Sequence, residues 1–181
     1  MSKIVAIVTS PRKGANTETL VNTMADAARK NGNEVEIFNI AEMSSRKGCL
    51  SCFGCKKCGK CVVKDDLTPV LDAIRDADEV ILSTPVYFGQ PTAQYRLLED
   101  RFFSFLDGSF TPNVTPKKMA VVVSAGTSGA KELADQIAER MSAYFKFECL
   151  GIIADISGNV PDEAAGNQAE LAEAAEIGKK F

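Results

Sequence analysis

Five of the six cysteines in this 181-residue chain lie in one short segment, and two residues separate each from the next. They are Cys49, Cys52, Cys55, Cys58 and Cys61. Thiolates at this spacing can converge on one centre, and soft sulfur ligands favour iron–sulfur clusters, zinc or copper(I) over hard cations. The segment therefore predicts a metal or cluster site that uses four of the five thiols.

Three interpretations of the cysteine segment compete. A zinc ribbon usually separates its two ligand pairs by about a dozen residues, whereas here the pairs follow each other directly. A 4Fe–4S cluster fits the run better, with Cys52, Cys55 and Cys58 as the surest ligands. Free or redox-active thiols are the third interpretation. A disulfide framework is disfavoured because nothing at the N-terminus is typical of a secretory signal.

Composition limits the function classes. A net charge of −3 and a pI near 5.1 disfavour a surface for nucleic acid or anionic membrane, and no apolar run reaches membrane-spanning length. These features predict a cytoplasmic protein without nucleic-acid or membrane partners. The chain has no histidine, which excludes His-based triads and His metal sites. Redox chemistry on a bound cofactor is therefore favoured over hydrolysis.

The predicted elements alternate along the chain. Apolar runs rich in β-branched residues predict five buried strands, at residues 3–9, 35–40, 79–83, 118–124 and 149–154. Amphipathic segments predict the helices, at residues 16–31, 65–74, 92–105, 131–144 and 164–179. This order predicts one α/β domain with a doubly wound, five-stranded parallel sheet between two helical layers. Ligands of such folds bind beyond the carboxyl ends of the strands.

The loop after the first strand, residues 9–17, has the composition of a phosphate site. Hydroxyl groups, Arg12, Gly14 and a helix N-terminus can together hold one phosphate. The loop lacks the glycine fingerprints of dinucleotide-binding and NTPase loops, so a phosphomonoester fits better. An ordinary turn capped by Asn16 is the alternative.

Two further loops at the strand ends could receive a flat ligand. Residues 84–89 combine Tyr87 and Phe88 with a glycine that lets the backbone approach a ring closely. Residues 125–129 contain two glycines that could be turn residues or close-contact donors. Considered alone, each loop could simply pack over the sheet or form a turn. Because both loops follow strand ends at the same edge of the sheet, ligand binding is favoured.

Four segments together carry a family resemblance. They are residues 10–17, the cysteine run 52–61 with the acidic pair that follows it, residues 83–89 and residues 98–101. In combination they resemble the flavodoxin-like NADPH-dependent FMN reductases, particularly the iron–sulfur flavoprotein branch. The resemblance implies that residues 1–181 form a single flavodoxin-like FMN-binding domain with a cysteine-rich loop at residues 44–64.

The resemblance also implies a set of cofactor-binding residues. The FMN phosphate would be held by Ser10, Arg12, Asn16 and Thr17. The ring would be lined by Pro85, Val86, Tyr87, Phe88 and Gly89, and its pyrimidine edge would be approached by Ala125, Gly126, Thr127 and Gly129. The flavin, rather than a catalytic side chain, would then take electrons from NAD(P)H as co-substrate and pass them to a small-molecule or protein acceptor.

The alternative function is an electron carrier that receives electrons from a ferredoxin-like partner through a 4Fe–4S cluster. The cysteine run departs from the family, because many relatives leave more residues before the last cysteine and Cys49 is surplus. Asp100 and Arg101 are interpreted as a structural ion pair or cap, and Cys149 as a small buried hydrophobe. The aromatic surplus of residues 84–89 and 102–105 predicts a homodimer or homotetramer.

Overall fold

The computed structural model describes residues 1–115 and 117–181. The strands are β1 Lys3–Val8, β2 Glu34–Asn39, β3 Glu79–Tyr87, β4 Gln90–Pro91, β5 Lys118–Ala125 and β6 Glu148–Ile156. The α-helices are α1 Asn16–Lys30, α2 Gly54–Cys58, α3 Leu67–Asp76, α4 Ala93–Glu99, α5 Ala130–Phe145, α6 Glu163–Gly166 and α7 Gln168–Gly178. Two 3-10 helices lie at Ile40–Glu42 and Asp100–Phe105.

Five strands run parallel in the order β2-β1-β3-β5-β6. This is the flavodoxin-like order 2-1-3-4-5 once the short strand β4 is set aside. The predicted doubly wound five-stranded sheet is therefore confirmed, with β4 added as an antiparallel partner for the end of β3. The strand order switches between β1 and β3, which opens a crevice at their carboxyl ends.

Apolar side chains cover both faces of the sheet, which completes three layers. On one face, Leu20 of α1 and Ile177 of α7 pack in one cluster with Ile81 of β3. On the other face, α3 and α5 pack with Val121 of β5 and with the aromatics of the second 3-10 helix. Strands that are buried on both sides need continuous apolar runs, which is why the sequence pattern located them.

Strand β3 extends beyond its predicted end at residue 83 and passes through Pro85. A proline lacks the N–H that a central strand requires, yet β1 pairs with β3 only as far as Leu82. From Ser83 to Pro85, β3 pairs only with β5, and Pro85 lies opposite Ser124. The proline therefore costs no hydrogen bond to β1 and carries the strand into the loop region.

Two predicted helices differ in detail. The helix expected at residues 92–105 tightens to 3-10 geometry after Glu99, and the closing helix is interrupted at Asn167. The Asn167 side chain accepts a hydrogen bond from Glu170 N at 3.3 Å, so it caps α7 as a new start. Cys149 is half-buried rather than fully buried. No helix of the described ranges is long and apolar enough to cross a bilayer.

Two carboxyl groups meet where α7 packs on the end of β6. Asp155 is 1% exposed and accepts a hydrogen bond from Ser157 Oγ, while Asp155 Oδ2 and Glu170 Oε2 are buried without any other partner. Burial, followed by the hydrogen bond and charge of Asp155, raises the pKa of Glu170 to about 7. Glu170 therefore keeps its proton to a higher pH in the folded protein than it does in the unfolded chain.

This pair predicts a pH dependence of stability. The folded state keeps a proton that an unfolded Glu170, with its ordinary pKa of 4.5, has released. The free energy of unfolding should therefore fall as pH rises from about 4.5 to about 7, and then level off. Urea unfolding across this range checks it. Glu170→Gln should remove this part of the slope, whereas Glu176→Gln, at an exposed position of α7, should retain it.

Candidate functional site

The loop between β1 and α1 leaves the N-terminus of α1 open. Ser10 Oγ accepts a hydrogen bond from Arg12 N at 3.2 Å, and Gly14 turns the chain with φ +66°. Helix α1 begins at Asn16 without a side-chain cap. The N–H groups of its first turn have no acceptor within the helix, so they and the helix dipole favour an anion in front of them.

Some of the charged side chains around this N-terminus already have hydrogen-bond or ion-pair partners. Glu18 Oε2 accepts a hydrogen bond from Gly14 N at 2.6 Å, so that N–H is taken. Lys13 lies 3.0 Å from Glu42, whose hydrogen bond and charge raise the pKa of the ammonium group. Arg12 donates to Asn159 O at 3.2 Å, and its guanidinium has further N–H groups to offer an anion. Arg12 is therefore the cation best placed at this end of the cleft.

A fourth loop, residues 157–162 after β6, closes one side of the cleft. Asn16 Nδ2 donates to Val160 O at 2.8 Å, and Asn16 Oδ1 accepts from Ala164 N at 3.1 Å. The side chain of Asn16 thus fastens this loop to the start of α1. The sequence analysis missed the residues of this loop, although applying the strand-end rule to the last strand would have found them.

Thr17 and Ser124 join the start of α1 to the end of β5. Their hydroxyl oxygens lie 2.5 Å apart, and both side chains are buried. Ser124 is a second residue that the sequence analysis missed, because it was counted as the last position of a strand. This contact fixes the distance between the anion-binding end and the glycine loop at residues 125–129.

Buried hydroxyl groups fix β1, β3 and the start of α4 beneath the cleft. Thr9 Oγ1 donates to Ser83 O at 2.7 Å, and Ser83 Oγ donates to Ile7 O at 2.6 Å. Thr92 N donates to Thr84 Oγ1 at 3.0 Å. These bonds satisfy polar groups that β1 and β3 leave unpaired where their directions diverge.

All thirteen predicted cofactor-binding residues line two adjoining clefts at this edge of the sheet. The first cleft, of about 450 Å³, contains Ser10, Arg12, Asn16, Thr17, Pro85, Val86, Tyr87, Ala125 and Gly126, together with Ser124, Gly158, Asn159 and Pro161. The second contains Val86, Tyr87, Phe88, Gly89, Gly126, Thr127 and Gly129, together with Ser128 and Asn159. A narrow polar end and a broad aromatic end suit a ligand with one phosphate and one ring system.

The aromatic end is exposed and conformationally strained. Phe88 is wholly exposed and has φ +51°, in the left-handed region that side chains with a Cβ rarely occupy. At Gly126 an added Cβ would lie 2.9 Å from Asn159 Oδ1, so a larger residue would force the Asn159 side chain to move. The hairpin of β3 and β4 thus presents aromatic surface for a ligand or a second protein surface to cover.

The cysteine segment is closed at its base by two aspartates. Asp66 Oδ2 accepts hydrogen bonds from Ser44 N and Ser45 N at 2.9 and 2.8 Å, and Asp65 Oδ2 accepts one from Lys47 N at 2.7 Å. These hydrogen bonds join the two ends of the predicted cysteine-rich loop, residues 44–64. The two ends of the loop are therefore held together by hydrogen bonds within the protein.

Arg101 lies behind this base in a fully buried ion pair. Its Nη1 lies 2.5 Å from Asp65 Oδ1, both side chains are inaccessible to solvent, and its Nη2 donates to Val63 O at 2.9 Å. Burial opposes ionisation of Asp65, yet the hydrogen bond from Arg101 and those from backbone N–H groups hold its pKa below the ordinary value. Arg101 is thus a structural ion-pair residue as expected, but its partner is Asp65, while Asp100 pairs with Arg96.

Four of the five cysteines line one small cavity. They are Cys49, Cys52, Cys55 and Cys61. Cys58 does not line it, and its thiol instead donates to Gly54 O at 3.4 Å and to Lys60 O at 3.2 Å. This differs from the expectation that Cys58 is among the surest ligands and Cys49 is surplus. Gly59, with φ +77°, ends α2 and turns the chain so that Cys61 reaches the cavity.

The four thiols of this cavity are soft donors of the kind that bind zinc or iron–sulfur clusters. In residues 1–115 and 117–181, no three Cys, Asp or Glu side chains are close enough together to hold one metal ion. The ligands of a 4Fe–4S cluster lie at its four corners and so stand farther apart than the ligands of one tetrahedral ion. Burial raises the pKa of the Cys55 thiol, Lys56 opposes this, and Cys61 and Cys49 add to it. Four soft thiols around a shared cavity are the ligands that a cluster requires.

Comparisons with known proteins agree with this geometry. The profile of the family described as NADPH-dependent FMN reductase matches residues 2–151. An iron–sulfur flavoprotein of Methanocaldococcus jannaschii is 30% identical over 188 residues, which cover 98% of this chain and 94% of the relative. An iron–sulfur flavoprotein of Archaeoglobus fulgidus is 30% identical over 186 residues, which cover 99% of this chain and 78% of the relative.

A solved structure supports the fold. The NAD(P)H:quinone oxidoreductase from Methanothermobacter marburgensis superposes with a TM-score of 0.71 at 15% identity, over 98% of both chains. At such low sequence identity, the comparison supports only the similarity of the fold.

The buried ion pair at the base of the cysteine segment predicts a large stability effect. Asp65→Asn leaves the Arg101 charge buried without a counter-charge, so the free energy of unfolding should fall by about 3–5 kcal/mol. Asp100→Asn is the matched control, because its ion pair with Arg96 is half exposed and should cost less than about 1 kcal/mol. Urea denaturation measures both, and equal effects would contradict the assignment of Asp65 as the anchor.

Proposed function

Since this chain belongs to the NADPH-dependent FMN reductase family and is an FMN-dependent oxidoreductase, we propose that it transfers electrons from a reduced nicotinamide to an acceptor. The observation that carries this is the convergence of four loops on one cleft at the carboxyl edge of the sheet. Bound FMN supplies the hydride acceptance and the release of one or two electrons. The protein's residues would bind and orient the cofactor, and the cleft offers no histidine as a proton carrier.

At the narrow end of the cleft, the FMN phosphate would meet the first turn of α1 and the Arg12 guanidinium. Ser10 orders the loop through its bonds to Arg12, and Asn16 acts by fastening residues 160–164 rather than by touching the phosphate with its amide. Thr17, hydrogen-bonded to Ser124, sets the position of the helix. One cation and one helix N-terminus can bind one phosphate. This favours FMN, which has a single phosphate, over FAD, which has two.

At the broad end, the ring would lie between residues 85–89 and residues 125–129. The exposure of Phe88 and the half exposure of Tyr87 leave one side of the ring open to a nicotinamide. The same exposed aromatics support a homodimer or homotetramer in which a second copy covers the hairpin. A small-molecule or protein acceptor would approach by this open side.

The alternative is an electron carrier that takes single electrons from a ferredoxin-like partner through a 4Fe–4S cluster. The four thiols around one cavity support it, as do the names of the two iron–sulfur flavoprotein relatives. Cys49, Cys52, Cys55 and Cys61 would hold the cluster. The exposed side chains of Leu50 and Phe53 beside them offer apolar surface for a partner's redox centre.

The assignment of Arg12 predicts weaker cofactor binding in its variant. Arg12→Ala should weaken FMN binding by about 1.5–3 kcal/mol, the range for a charge-assisted hydrogen bond. Titrating flavin into the apoprotein and following its fluorescence measures this. Lys13→Ala is the control, because Lys13 is engaged with Glu42 and should leave FMN affinity unchanged. An unchanged affinity in Arg12→Ala, or a preference for FAD, would contradict the phosphate site.

The choice of electron donor can be measured on anaerobic holoprotein by stopped-flow absorbance. NADPH or NADH should bleach the flavin within one turnover, and Cys55→Ser should leave that reaction unchanged. If only a reduced ferredoxin bleaches the flavin, and Cys55→Ser abolishes that reaction, the carrier function replaces the reductase. Failure of every donor would refute both functions.

A further inference from the structure

Two residues that line the cavity of the four cysteines each carry a buried hydrogen-bond donor without an acceptor. Arg101 is 1% exposed and Ser104 is 2% exposed, and both line this cavity. Arg101 Nε and Ser104 Oγ are among only six buried side-chain atoms of the described residues that have no hydrogen-bond partner. Buried polar atoms without partners are rare because they lose their hydrogen bonds to water, so two in one cavity indicate a ligand.

The two terminal nitrogens of Arg101, Nη1 and Nη2, already form hydrogen bonds. Nη1 bonds Asp65 Oδ1 and Nη2 bonds Val63 O, which fixes the guanidinium plane at the base of the loop. Among the three guanidinium nitrogens, Nε alone has no hydrogen-bond partner. The guanidinium is therefore held rigidly, with one donor to spare on a residue that borders the thiols.

The buried hydroxyl group of Ser104 forms no hydrogen bond with the rest of the protein. At such a position a serine usually forms a hydrogen bond, or an apolar residue takes its place. Serine in a helix commonly donates to a carbonyl of the preceding turn, and Ser104 does not. Its neighbours Phe102, Phe103 and Phe105 are aromatic, and alanine would fit this 3-10 helix without an unpaired hydroxyl. The backbone carbonyl of Ser104 accepts from Arg75 Nη2 at 2.9 Å, a bond that does not need the side chain.

We propose that Arg101 Nε and Ser104 Oγ donate hydrogen bonds to sulfur atoms of a cluster held by Cys49, Cys52, Cys55 and Cys61, and that these bonds raise its reduction potential. The inference rests on the cluster of the proposed function. Reduction adds negative charge to the cluster, so donors aimed at its sulfurs stabilise the reduced form more than the oxidised form. Both residues act as positioning and tuning residues, since neither accepts the electron.

A second cation lies next to the same wall of the cavity. Lys56 Nζ donates to Phe103 O and Leu106 O at 2.5 and 2.6 Å and lies 3.7 Å from the centroid of the Phe103 ring. Phe103 lines the cysteine cavity, whereas Lys56 does not. The positive charge of Lys56 therefore lies one side chain away from the cavity, where it favours an anionic group inside it.

The test uses Ser104→Ala, with Ser109→Ala as the matched control at an exposed turn of the same segment. Holoproteins reconstituted anaerobically with iron and sulfide are titrated potentiometrically, and the cluster is followed by electron paramagnetic resonance. Ser104→Ala should shift the cluster midpoint to a more negative potential, while the flavin midpoint and the iron content stay at the wild-type values. Ser109→Ala should leave all three unchanged.

Two results separate this role from a structural one. Because the hydroxyl is unpaired without the cluster, Ser104→Ala should leave the unfolding midpoint of the cluster-free protein unchanged or higher, whereas a structural hydroxyl would lower it. An unchanged cluster midpoint at full iron content, or a destabilised cluster-free variant, overturns the inference alone. A wild type that takes up no iron refutes the cluster of the proposed function and this inference with it.

Discussion

The placement of the cysteine segment depends on one ion pair that is wholly removed from water. Burying Asp65 and Arg101 carries a large desolvation cost, which their attraction and further hydrogen bonds to both groups must offset. Asp65 meets this need with the N–H groups of Lys47 and Leu67 as well as the guanidinium. The pair thus ties both ends of the loop to the 3-10 helix after α4, and the thiols occupy their positions through protein contacts.

The flavin cleft is built on a different principle. Its base consists of strand ends whose unpaired backbone groups are satisfied by the hydroxyls of Thr9, Ser83 and Thr92, and its lining is mostly backbone and small side chains. Such a surface reorganises little when charge develops on a bound ring, because its dipoles are already fixed. The cavity of the four cysteines, by contrast, is bounded by the cysteine loop and the second 3-10 helix, and the two sets of lining residues do not overlap.

The sheet could be predicted from the sequence because strands buried on both faces need continuous apolar runs, and the loops followed from the strand ends. The partner of Arg101 could not be predicted, since Asp65 lies 36 residues away and both residues have nearer ions of opposite charge. The sequence also could not show that Cys49, rather than Cys58, lines the cavity. Five thiols at uniform spacing contain no asymmetry, and the left-handed turn at Gly59 decides which of them face the cavity.

The fourth loop was missed because residues 157–162 lack the hydroxyl and aromatic pattern of the other three. Its role depends on contacts that cross almost the whole sequence. Nothing in the local composition of this loop indicates that Asn16 and Arg12 would reach it.

These contacts have a consequence for the order of events during biosynthesis. The bonds of Arg12 and Asn16 to the segment after β6 join residues 144 to 148 positions apart. The ribosome releases the phosphate loop among the first residues, but the wall that completes it emerges only after β6. A nascent chain therefore has to assemble its sheet, including the last strand, before it can retain a nucleotide. The contacts of Arg12 and Asn16 with the segment after β6 can therefore form only once the sheet is complete.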